Sequence, residues 1–237
     1  MGYYIELQQP NRYSVLSECM YCRTSGSETL LTDEHIIPLA LSGSAVLPKS
    51  VCEDCQRKIN EEFEQDVLRR IYILPRTKLQ LRTRSPNGRP STYPVWEHDK
   101  PLGGGLPRKL FREGDVRIET SMGELPTLIP SLVLPPPGLL AGRETKEDGQ
   151  ITVRALSFYS TGESPRAEQE HRDISILIPF DPGQLVKLMA KIAHGAAVAE
   201  LGISAFSHFL PDLILGRSKN FSSLVGSPDM PLFSNTL

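Results

Sequence analysis

Cys19-Met20-Tyr21-Cys22, then Asp33-Glu34-His35-Ile36-Ile37-Pro38, then Cys52-Glu53-Asp54-Cys55: the order of these stretches decides how the chain is read. Each Cys-x-x-Cys pair lets two thiolates reach one small ion from a tight turn, and two such pairs complete a tetrahedral four-sulfur zinc site. The chain has 4 cysteines and all of them fall in these pairs, so none is left over. Paired thiols in a reducing compartment favour metal over disulfide. An iron in the same four-sulfur site would be the redox alternative, but it leaves Glu34 and His35 unexplained.

Outward from the cysteines, Thr29 to Ile37 reads as an extended strand, because Pro38 disfavours helix at the residue before it. Leu41-Ser42-Gly43-Ser44 turns the chain and Ala45 to Leu47 is the candidate return strand. Cys52 then opens a helix, which the spacing of Ile59, Phe63, Val67, Ile71 and Leu74 extends to about Leu74. Tyr3 to Leu7 and Ser14 to Leu16 are candidate short strands ahead of the first cysteine turn. Gln56 and Asn60 are one turn apart and are expected at the start of the apolar stripe rather than on the solvent face. There they either hydrogen-bond the turn below or aim where His35 aims.

Charge is unevenly spread, although the formal net charge is only -2. Between Val67 and Trp96 there is no Asp or Glu, while Arg69, Arg70, Arg76, Lys78, Arg82, Arg84 and Arg89 all lie there. Such a stretch suits phosphate contacts, the main source of sequence-independent affinity for nucleic acid. A solvated helix end and loop is the plainer reading of the same charges.

The order Cys-x-x-Cys, acid-His35-Ile36-Ile37-Pro38, Cys-x-x-Cys, then a helix opening with amide side chains resembles the zinc-supported HNH endonucleases, over roughly residues 15 to 75. That resemblance implies a ββα-metal fold held by a structural zinc on Cys19, Cys22, Cys52 and Cys55. It also implies that His35 is the general base activating water against a phosphodiester in DNA, and that Glu34 binds a divalent cation. The last position of the motif, on the helix, is usually Asn or His; here Gln56 has the better position and Asn60 the better residue type. Hard oxygen donors of this kind suit magnesium or manganese. The residue that orients the base in the family has no clear counterpart, and Ser44 or a backbone carbonyl could serve.

Past Arg84 the composition shifts to Pro and Gly, in Ser85-Pro86-Asn87-Gly88, Gly103-Gly104-Gly105 and Pro135-Pro136-Pro137-Gly138, read as turns and a hinge. Val116 to Glu119, Ile151 to Leu156 and Ile174 to Phe180 read as strands. Asp181-Pro182 starts a helix that Gly202 closes. Its apolar face is expected to carry Leu185, Leu188, Met189, Ile192, Ala196 and Ala199, leaving Lys187, Lys191 and His194 to solvent, where they could contact phosphate. Ala205 to Leu215 is a second helical stretch, and His98, His171 and His208 have no neighbours at diagnostic spacing.

The expectation is therefore an α+β protein: an HNH-like ββα-metal domain over residues 1–85 and an α+β accessory domain over residues 86–237. A metal-dependent endonuclease acting on DNA is the leading function. A non-catalytic zinc module that binds nucleic acid and a zinc-stapled protein-interaction domain are the alternatives. No signal-peptide pattern and no long apolar run is evident, so the location expected is cytoplasmic, with no membrane partner. Oligomeric state has no sequence signal.

Overall fold

A computed structural model describes residues 13–83, 86–98, 113–141, 152–158 and 174–226. The expected Tyr3–Leu7 strand, the 103–105 hinge, Arg84 and His171 lie outside these residues.

The N-terminal module is an antiparallel hairpin followed by a helix, in the order the cysteine frame predicts. Strand β1, Leu31–His35, pairs with β2, Val46–Cys52. The return strand is thus longer than its apolar start at Ala45 to Leu47 indicated, and it delivers Cys52 directly to the helix. Between the strands the chain makes a tight turn in which the Gly43 N–H bonds the Pro38 carbonyl at 3.2 Å. A Cβ at Gly43 would stand 1.9 Å from the Ile37 carbonyl oxygen, so only glycine fits there.

The hairpin register is irregular where it matters for the site. Thr32 faces Val51 but Glu34 faces Leu47, so Pro48, Lys49 and Ser50 bulge out of β2. Lys49 takes a left-handed backbone, φ 46°, and its N–H donates to Asp33 Oδ1 at 3.1 Å. Such an interruption breaks the alternation of faces, and Leu31 and Glu34 are both buried while Asp33 is exposed.

Helix α1, Glu53–Ile59, starts from Cys52 in extended conformation, with Glu53 and Asp54 in the first turn, where carboxylates complement the helix dipole. It does not run as a regular helix to Leu74. Asn60–Glu64 and Val67–Ile71 are π-helical, with the Gln65 N–H reaching the Asn60 carbonyl and the Tyr72 N–H the Val67 carbonyl. The helical path then breaks at Tyr72 before the short helix α2, Ile73–Lys78. Ile59, Phe63, Val67 and Ile71 are nevertheless buried as the four-residue spacing indicates.

Beyond the module, β3 (Thr92–Glu97) is the centre of a three-stranded antiparallel sheet with β4 (Val116–Ser121) and β7 (Ile174–Ser175). Strand β5 (Thr127–Val133) pairs with β6 (Thr152–Phe158), and a single helical turn, α3 (Gly138–Ala141), follows β5. A small core of Leu74, Val95, Met122 and Leu125 joins α2 to this sheet. The expected strand Ile174–Phe180 is paired only over Ile174–Ser175, opposite Trp96 and Glu97. His98 is buried at the junction, with Nε2 2.7 Å from Ser175 Oγ and Nδ1 3.0 Å from Asp115 Oδ2, and so ties the ends of three strands.

Helix α4, Pro182–Leu201, begins and ends as its capping residues indicate: Asp181 accepts from the Gly183 N–H at 2.8 Å and Gly202 stops the helix at φ 86°. The short α5 is confined to Leu210–Ile214, because Pro211 supplies no N–H and fits only in a first turn. Buried residues of both helices, among them Leu185, Leu188 and Ile214, share one core with Cys19, Ile59 and Phe63. The orientation of α4 corrects the sequence expectation. Lys191 and His194 are 3% and 1% exposed, whereas Met189 is 38% exposed. Polar residues go inside here because acids and a carbonyl on the module receive them. Among the described residues no helix is long and apolar enough to cross a membrane.

Candidate active site and metal centre

Two loops bring the thiols together. Around Cys19 the Arg23 N–H bonds the Cys19 carbonyl and the Cys19 N–H the Thr24 carbonyl, both at 2.9 Å, with Arg23 itself left-handed at φ 67°. The Met20 N–H to Ser50 carbonyl bond, 2.8 Å, fastens this turn to the bulge in β2. Ligand atoms of Cys19, Cys22, Cys52 and Cys55 lie within 4.8 Å of one another, and the Cys22 and Cys52 sulfurs are 3.7 Å apart. A tetrahedral zinc with bonds of about 2.3 Å requires sulfurs roughly 3.8 Å apart, so the residues fit the ion. The Cys55 thiol hydrogen-bonds Cys19, holding the Cys19 thiol down at about 4 and pushing Cys55 up, while burial raises Cys52. A metal would replace these shared protons, and its affinity falls in acid.

A separate cleft of about 990 Å³, lined by none of the cysteines, opens on the hairpin and helix. His35 and Glu34 line it from β1, Gln56, Asn60, Glu64 and Arg69 from the helical path, Arg76, Arg82 and Arg89 from the segment after it, and Lys191 from α4. Gln56 and Asn60 are exposed to this cleft rather than set into the apolar stripe, which corrects their expected placement. Each amide is held by a neighbour. The Thr32 hydroxyl donates to Gln56 Oε1 at 3.4 Å, and Gln65 Nε2 donates to Asn60 Oδ1 at 2.7 Å.

Glu34 is the most enclosed of the group, 6% exposed. Its Oε1 is 2.5 Å from Lys191 Nζ, and the same ammonium is 2.5 Å from Glu64 Oε2. Burial pushes the Glu34 carboxyl up from its ordinary value, against the pull of Lys191. Burial also acts to lower Lys191, but Glu34 and Glu64 outweigh it and raise the lysine, so the ammonium is retained. Glu64 and Lys191 are site residues that sequence reading missed. Glu64 had a signal, since Gln56, Asn60 and Glu64 recur every four residues along one helix face. Lys191 had none, being brought in by tertiary packing.

Residues 19–72 match the family model described as HNH endonuclease. The HNH match contains the four-cysteine cluster and the cleft face of β1 and the helix, and it ends at Tyr72 where the helical path breaks. A family of nucleases implies interaction with nucleic acid and a nuclease-like function for this segment. No curated protein and no solved structure matches the chain.

The basic residues expected to meet nucleic acid separate into two groups. Arg69 and Arg82 are exposed on the cleft. Arg70 lies 3.2 Å from Asp66 and does not line it, and Lys78 donates to the carbonyls of Gly123 and Leu125. Arg76 lines the cleft but donates to the Ala40 and Leu68 carbonyls at 3.0 and 2.7 Å, and burial lowers its pKa from the usual guanidinium value.

Proposed function

We propose that this protein is an HNH-type endonuclease that hydrolyses phosphodiester bonds in DNA within the cleft bounded by β1 and the helix after Cys55. The single observation carrying this reading is that His35, Glu34, Gln56 and Asn60 line one cleft together with Arg69, Arg82 and Arg89. His35 takes a proton from water as the water oxygen attacks phosphorus, and the bond to the leaving oxygen breaks as the new one forms. An imidazole is suited to that exchange near neutral pH. Arg69, Arg82 and Arg89 hold the phosphate backbone and orient the scissile group, and the zinc-bound cysteines keep β2 and the helix in register around it.

The oxygen donors Glu34, Asn60 and Gln56, with Glu64 beside them, fit a hard divalent ion such as magnesium or manganese. When bound, that ion supplies Lewis-acid stabilisation of the phosphate charge. Residues 86–237 act as an accessory region whose helix α4 packs on the HNH segment. Incubation of the zinc-loaded protein with plasmid and magnesium or manganese, beside His35→Ala, tests the reading. Nicking by the wild type and loss in the variant are expected; equal nicking by both would remove His35 from the chemistry.

The runner-up, a zinc module that binds nucleic acid without cutting it, is favoured by one observation: the Glu34 carboxylate is already engaged by Lys191. It predicts salt-dependent DNA binding with no nicking by either protein. A zinc-stapled protein-interaction domain would show neither.

A further inference from the structure

Lys191 is 3% exposed, lines the cleft beside Glu34, and sets its ammonium on the carboxylate assigned to the divalent ion. It comes from outside the HNH match, and α4 is fixed against the module along its length. Gln184 Nε2 donates to Asp66 Oδ2 at 3.0 Å, Lys187 Nζ meets Glu62 Oε2 at 3.2 Å, and His194 Nε2 donates to the Met20 carbonyl at 3.0 Å. The backbone of Gly195 lies against Ile36, the residue after the candidate base. The lysine is therefore held in place by the helix rather than resting on the surface.

The charges around it point to competition. Two carboxylates face one ammonium, so the cluster keeps a negative charge and remains attractive to a second cation. A hard ion bound to the same oxygen at about 2.1 Å would stand within roughly 5 Å of the ammonium, at strong mutual repulsion in a buried setting. We propose that Lys191 is a built-in competitor for the divalent cation at Glu34: its ammonium fills the cation's seat, α4 holds it there, and metal loading requires Lys191 to withdraw. This rests on Glu34 being the ion's ligand. It makes the packing of α4 a control on the cleft: a partner or substrate that loosens α4 raises metal affinity.

Manganese titration of the zinc-loaded full chain, followed by electron paramagnetic resonance, tests this without measuring cleavage. Lys191→Met is expected to bind manganese at least about tenfold more tightly than wild type. Adding Glu34→Gln should abolish the gain, and Lys191→Arg should bind as weakly as wild type. No gain in Lys191→Met would overturn the proposal. If Lys191→Met fails to fold, the wild type decides against its own Glu34→Gln variant. Weak wild-type binding that Glu34→Gln weakens further supports competition, whereas tight wild-type binding, or binding that Glu34→Gln leaves unchanged, contradicts it. Failure of the nuclease reading appears separately, as equal nicking by wild type and His35→Ala with these titrations unaltered.

Discussion

His194 donates from Nε2 to the Met20 carbonyl within a cage of Tyr21, Phe206 and His208, next to the first cysteine turn. Burial holds its imidazole below the usual histidine range. Above about pH 6.5 it is neutral whether the chain is folded or not; as pH falls, the unfolded chain takes up the proton first, so stability is lost from that point down to the lowered native value. His194→Gln keeps a donor and removes the titration. Its urea midpoint should fall less than that of the wild type between about pH 7 and pH 5; parallel curves would show that His194 does not contribute. Glu34 poses the opposite case, a carboxylate whose burial is tolerated because an ammonium shares it.

At the scale of the element, the π-helical stretch starting at Asn60 places Phe63 wholly inside the core while Asn60 and Glu64 line the cleft. Phe63→Ala should cost about 3–5 kcal/mol, measured by chemical denaturation. Lys187→Ala, one turn of α4 away from the buried pair, should cost no more than about 1 kcal/mol, because Lys187 and Glu62 remain 23% and 36% exposed. Comparable losses for the two would contradict the assignment of α4's stabilisation to buried contacts. These elements also mark how far sequence reading reaches. The cysteine turns and the buried Ile59, Phe63, Val67 and Ile71 were legible because ligand spacing and helix periodicity are local properties. The bulge at Pro48 to Ser50 was not, since it depends on pairing between strands. Lys191 and His194 were misplaced for a related reason: periodicity assigns polar residues to water, and nothing local to α4 reveals that Glu34, Glu64 and the Met20 carbonyl await them.

For the molecule as a whole, the four-cysteine site and the cleft are built on the same hairpin and helix, so the staple should be required for both folding and binding. Metal analysis is expected to find about one zinc per chain. Cys52→Ser should lose both zinc and the cooperative unfolding transition, and retention of both would contradict a structural role. On the cleft side, DNA affinity should fall with salt, and replacing Arg69, Arg82 and Arg89 together by Gln should reduce the steepness of log affinity against log salt by roughly 2–3. An unchanged slope would place the DNA elsewhere. The central claim is that this cleft cuts the phosphodiester backbone, and one comparison tests it most directly. Supercoiled plasmid is incubated with zinc-loaded wild type or His35→Ala and excess manganese, enough to compete with Lys191. The account predicts nicking by the wild type, slower by about 10²–10⁴ in the variant; equal rates, or no nicking by either protein, would contradict it.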